Sequence, residues 1–135
     1  MDNENKRAPM PSVMALAYLG DARHALYVRK MLVRRGLTKS RDLNAAALDY
    51  VTAEAQARAY EKIADALTDE ERDVFKRAFN STHLNKPKHA SGRDYRTATG
   101  FEAVMGLLEW RADSARLEFL LNESHEEDKE NDTED

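Results

Sequence analysis

Between Val13 and Val33 the chain is apolar or small at almost every position, and Asp21 interrupts the run. At about 100° per residue, Val13, Met14, Ala15, Leu16, Tyr18, Leu19, Ala25, Leu26, Val28, Met31, Leu32 and Val33 cover nearly every direction of a helix. A helix apolar all round is expected to be buried among other helices. A carboxylate placed mid-span needs an ion partner, hydrogen bonds or a cation, because burying a bare charge is too costly. Asp21 is therefore the first candidate for chemistry. Glycine in a helix interior costs roughly 1 kcal/mol against alanine. Gly20 is thus either a tolerated glycine or the mark of a bend or of a close approach by a neighbour.

The rest of the chain fits around that segment as further helices. Ser12 is placed to cap the first helix, which is expected to run to about Arg35 and stop at Gly36. A short helix over 43–51 follows, then one over 53–67 capped by Thr52, with a core stripe of Ala53, Ala57, Tyr60, Ile63, Ala64 and Leu67. Thr68 followed by Glu71 fits a capping box and opens a helix to about Phe79. The stretch 80–94 has no apolar period and reads as a long loop, a length at which loops tend to be functional. Helices over 95–110 and 114–122 close the chain, with Asp113 as the cap between them. No segment alternates with period two, so the fold class is all-α, with six or so helices.

With 135 residues, the chain is sized for one domain over 12–122, between a polar lead-in over 1–11 and an acidic tail over 123–135, both expected to be disordered. Of the 25 acidic and 21 basic residues, the tail takes eight acids and one lysine, leaving 17 acidic and 20 basic before it. The net charge of −4 thus hides a mildly basic body. There is no cysteine, which excludes disulfides, thiolate metal sites and a cysteine nucleophile. Nothing near Met1 reads as a signal peptide, and Asp21, Arg23 and His24 break the apolar run, so a cytoplasmic protein without a membrane span is expected.

A second carboxylate stands out. On the 95–110 helix, Thr99, Glu102, Gly106 and Glu109 fall within about 80° of one another, opposite Phe101, Val104 and Leu108. A solvated face usually carries Lys, Arg and Gln rather than Gly and Thr. Two carboxylates on separate, mainly apolar helices are the donor set of a hard cation such as Mg²⁺. On pattern alone the pair is equally compatible with a buried Asp–Arg contact and a surface Glu. Between Arg72 and Arg96 lie seven basic residues (Arg72, Lys76, Arg77, Lys86, Lys88, Arg93 and Arg96) and two acidic ones. Together with His83, His89, Asn80, Ser81, Thr82 and Asn85 they offer many donors to phosphate and ribose hydroxyls. His24 reads as a packed or hydrogen-bonded core histidine, and a zinc site is not supported.

Two blocks carry a resemblance. Leu16-Ala17-Tyr18-Leu19-Gly20-Asp21-Ala22 resembles the ribonuclease III signature, and Thr97-Ala98-Thr99-Gly100-Phe101-Glu102-Ala103-Val104-Met105-Gly106 resembles its second block. Tyr27-Val28-Arg29, Lys76-Arg77, Asn80, Lys86-Pro87-Lys88 and Tyr95-Arg96 look like Mini-III, the short bacterial form without an appended double-stranded-RNA-binding domain. The resemblance implies a homodimeric, Mg²⁺-dependent endoribonuclease for duplex RNA, acting on stems of the 23S ribosomal RNA precursor through metal-activated water. It implies Asp21 and Glu102 as catalytic metal ligands, with RNA contacts from Lys76, Arg77, Asn80, Lys86, Lys88 and Arg96. Standard ribonuclease III has two more acids, at the positions held here by Ala17 and Thr99, which leaves the metal count open. Glu109 is a possible outer oxygen. With an acidic tail that RNA would repel, binding is expected to be weak and salt-sensitive unless a ribosomal protein presents the substrate. The rival reading is a catalytically silent RNA-binding or ribosome-assembly module that keeps the fold.

Overall fold

A computed structural model describes residues 9–81 and 91–126. They form six α-helices, with no strand among the described residues. We number them α1 (Val13–Arg34), α2 (Ser40–Val51), α3 (Ala53–Ile63), α4 (Asp69–Asn80), α5 (Gly92–Trp110) and α6 (Ser114–Ser124); a 3₁₀ turn, Ala64–Ala66, follows α3. No described helix is long and apolar enough to cross a membrane.

Local sequence chemistry sets most of the boundaries. The side chains of Ser12, Thr52 and Asp113 each accept a backbone N–H of the helix they open. Thr68 and Glu71 form the expected capping box. Gly36, at φ 91°, takes the left-handed conformation that ends α1. Helix α2 starts three residues before the expected Leu43, from Lys39, which makes no side-chain cap. Helix α5 likewise starts three residues before Tyr95, because Ser91 caps it by accepting from Asp94 N at 2.9 Å. The connection between α4 and α5 is correspondingly shorter than the loop expected over 80–94, and most of it, including Lys86 and Lys88, lies outside the described residues. At the other end α6 passes the expected Asn122, and Ser124 and His125 are buried.

Helix α5 is the centre of the fold. It packs against α1, α3, α4 and α6, with its most extensive contact to α1. It is buried on nearly every side from Thr97 to Leu108. One core joins Tyr27, Ile63, Phe101, Val104, Met105, Leu117, Leu120 and Leu121; a second joins Leu16, Ala17, Val74, Ala78, Ala103 and Leu107. Helix α5 is the wall between them. The expectation of all-round burial therefore fails for α1: Met14, Leu26 and Val33 on its outer side are exposed, and Tyr18 is 85% exposed.

Helices α1 and α5 meet backbone to backbone. A Cβ added to Gly20 would lie 1.7 Å from the carbonyl oxygen of Glu102, and one added to Gly106 would lie 1.8 Å from that of Leu16. Of the readings open at Gly20, the close approach is the one found, and Gly106 is its counterpart. At each position alanine would gain up to about 1 kcal/mol of helix propensity but force the two backbones apart. Overpacking typically costs about 1–3 kcal/mol, occasionally more. We expect Gly20→Ala and Gly106→Ala each to lower stability by about 3 kcal/mol in chemical denaturation; a gain in stability would contradict the crossing.

Candidate active site

The residues beside the glycine contact carry the charge. Asp21 comes directly after Gly20 on α1, and Glu102 lies one helical turn before Gly106 on α5. The crossing brings their carboxyl groups into direct hydrogen-bonding contact. Asp21, expected to be buried in an all-round apolar helix, is exposed, and Glu102 is the partly buried member. Glu102 is pushed up to about 9, first by burial and then by the hydrogen bond and negative charge of Asp21, with a hydrogen bond from Gln56 acting in the opposite direction. A carboxyl group in that position keeps a proton or takes a cation.

The donor set decides which cation fits. No group of three or more His, Cys, Asp or Glu able to hold a metal is found among the described residues. Two adjoining carboxylates, one facing solvent, suit Mg²⁺, which keeps several waters and is commonly held by one or two carboxylates. Ala17 and Thr99 are both buried, and the Thr99 hydroxyl donates to Tyr95 O at 3.0 Å. Neither position adds a charge. Glu109, the possible outer oxygen, is paired with Arg23 Nε at 3.1 Å, and the same guanidinium reaches Glu118 at 2.9 Å, tying α1, α5 and α6 together.

Behind the pair runs a buried polar chain that pattern reading missed, apart from the assignment of His24 to the core. Gln56 Nε2 donates to Glu102 Oε2 at 3.3 Å and sits 3.2 Å from His24 Nδ1. His24 Nε2 lies 3.0 Å from His125 Nε2. Burial, and next the neighbouring His125, lower His24 to about 3, so it is neutral at physiological pH. Gln56 gave no local signal, because a single glutamine on an amphipathic helix reads as surface.

The basic residues gather elsewhere. Lys76, Arg77 and Asn80 are exposed on the last turns of α4, and Arg96 is half-buried near the start of α5. Lys76 and Asn80 line a cleft of about 360 Å³ with Tyr60, Phe75, Phe79 and Arg93. Arg77 Nε pairs with Asp73 at 3.1 Å, and Arg96 lies over the Phe79 ring, 5.9 Å from its centroid. These four flank the segment that holds Lys86 and Lys88.

The raised value of Glu102 has a sign. Between its ordinary 4.5 and about 9, the folded chain keeps a proton that the unfolded chain has released. Stability contributed by that proton is complete below the ordinary value and is lost as pH rises through the higher one. In chelator, the midpoint of denaturation is expected to fall across this window, and Glu102→Gln to flatten the fall. An equal slope in the variant would show that Glu102 is not the group responsible.

A ribonuclease III domain model matches residues 14–109. The chain is 40% identical over 111 residues to the mini-ribonuclease 3 of Streptococcus pneumoniae, covering 81% of this chain and 87% of that protein. It is 41% identical over 108 residues to the mini-ribonuclease 3 of Symbiobacterium thermophilum, covering 80% and 83%. A crystal structure of a Fusobacterium nucleatum protein superposes with a TM-score of 0.74 at 30% identity, covering 82% of this chain and 88% of the other.

Proposed function

The chain belongs to the ribonuclease III domain family, and on that premise we propose that it is a Mg²⁺-dependent endoribonuclease that cleaves double-stranded RNA. The observation that carries this reading is the contact between Asp21 and Glu102, with Glu102 raised to about 9. Such a pair is electrostatically incomplete without a proton or a cation. Asp21 and Glu102 are the residues that would hold the metal, Asp21 from the solvent side and Glu102 from the helix crossing. Mg²⁺ bound there supplies a Lewis acid that activates water and offsets the charge developing on the phosphodiester. To hold the ion, Glu102 would give up its proton to solvent.

Substrate positioning falls to Lys76, Arg77, Asn80 and Arg96, with Lys86 and Lys88 from the segment between them. Cationic and amide donors of this kind fix phosphates without reading bases, which suits a duplex recognised by its backbone and 2′-hydroxyls. The active form is a homodimer. Its support is the outer side of α1, where Met14, Tyr18, Leu26 and Val33 expose side chains in a helix otherwise built for burial. Because Asp21 is on that same helix, pairing two copies through it would place two sites beside one groove. The proposed substrate is a stem of the 23S ribosomal RNA precursor in the cytoplasm, delivered with the help of a ribosomal protein that compensates for a body of low positive charge. A silent RNA-binding module is the alternative, and retention of both carboxylates favours the enzyme.

Incubation with duplex and single-stranded RNA tests the reading. The duplex should be cut in Mg²⁺, left intact in EDTA, and left intact by Asp21→Asn. Cleavage that survives EDTA would remove the metal from the mechanism, and binding without cleavage would favour the silent module. Tyr18→Asp should convert a dimer into a monomer in light-scattering mass measurements; an unchanged dimer mass would place the interface elsewhere.

A further inference from the structure

Gln56 sits where the buried chain meets the carboxylate pair. It is 3% exposed, on α3, and its amide nitrogen serves both neighbours: Glu102 Oε2 at 3.3 Å and His24 Nδ1 at 3.2 Å. A primary amide has two N–H donors and no more, so both are committed. The acceptor on the histidine side is fixed in turn. A neutral imidazole carries one N–H; with Nδ1 accepting from Gln56, that N–H is on Nε2 and donates to His125 Nε2 at 3.0 Å. His24 is fully buried, edge-on to Phe101 and stacked with His125, so its ring has no freedom to turn over. His125 stacks on Tyr27 as well, and Tyr27 donates to Asn122 Oδ1 at 2.8 Å. The orientation of the Gln56 amide is thus set by a ring stack anchored in the C-terminal turn of α6.

We propose that Gln56 is a positioning residue for the metal-binding pair: its amide, held by His24 and His125, fixes Glu102 in the orientation that faces Asp21. The proposal rests on the reading of Asp21 and Glu102 as metal ligands. Glu102 projects from a helix whose neighbouring surface is glycine, and glycine gives a side chain nothing to lean on. The amide supplies the constraint that packing does not. Hydrogen-bonded partners of metal ligands commonly change metal affinity by about 10–100-fold when removed.

The test uses the full chain, free of RNA, with Mn²⁺ as the probe and electron paramagnetic resonance of free Mn²⁺ as the readout. Gln56→Met keeps the volume and removes both donors. It should weaken Mn²⁺ binding about tenfold or more. In steady-state cleavage of a duplex, kcat should fall and recover as Mn²⁺ is raised, a rescue that a general loss of structure would not give. His24→Leu should weaken Mn²⁺ binding less, and should add nothing when combined with Gln56→Met. Unchanged Mn²⁺ affinity in Gln56→Met overturns the proposal, as do additive effects in the double variant. If thermal melting shows Gln56→Met to be unfolded, His24→Leu decides alone, and unchanged affinity there overturns it. Glu102→Gln separates the two levels. Retained Mn²⁺ binding in that variant would sink the reading of the pair itself, whereas its loss beside an intact Gln56→Met would sink only the role of the amide.

Discussion

Everything chemical in this fold depends on two helices touching without side chains between them. Gly20 and Gly106 let α1 and α5 approach until each glycine lies against the other helix's carbonyl groups. Ordinary helix pairs sit 8–10 Å apart, at a distance set by the side chains between them. Here the contact is set by backbone atoms, which have no rotamers, so the positions of Asp21 and Glu102 inherit backbone precision. The second core, with Leu16, Ala17, Ala103 and Leu107 from these two helices, is built from small and medium residues and is flanked by Val13 and Trp110.

The electrostatics follow from that geometry. Two like charges forced together favour the neutral form of one, and burial selects which. Glu102 is the more enclosed, so it holds the proton, and Asp21 presents its oxygens to solvent. Other charges in the fold have partners of opposite sign: Arg23 has Glu109 and Glu118, and Arg116 has Glu71, which is buried and also completes the cap of α4. Arg116 and the capping hydrogen bonds hold Glu71 below the usual carboxylate range although burial alone would raise it. The contrast between the two glutamates is instructive. One is buried with an arginine and serves structure, and the other is buried with an aspartate and is available to a cation.

What could be read from the residues was what is decided locally. Ser12, Thr52, Thr68 with Glu71, Asp113 and Gly36 mark helix ends because capping and chain reversal involve only neighbours in sequence. Gly20 was legible only as a position to explain, a tolerated glycine, a bend or a close approach, because what it packs against lies on α5, far away in sequence. The starts of α2 and α5 were not, since Lys39 offers no cap and Gly92 disguises the first turn of α5 as loop. Which face of α1 is covered was also illegible: helical projection counts apolar residues and does not say whether their partner belongs to the same chain. Gln56 could not be found at all from periodicity. Its partner Glu102 is 46 residues away, and only the crossing of α3 with α5 brings them together.

Neither hydrophobic core includes the carboxylate pair, and the charge conflict within the pair is relieved by a single proton. On the proposed reading, a metal would take the place of that proton. In domains whose cores are assembled by zinc, loss of the ion unfolds the chain. Here both cores close without the pair. On the proposed reading, a cation held by Asp21 and Glu102 would serve catalysis rather than architecture, and the chain would keep its fold in surroundings where free Mg²⁺ is scarce.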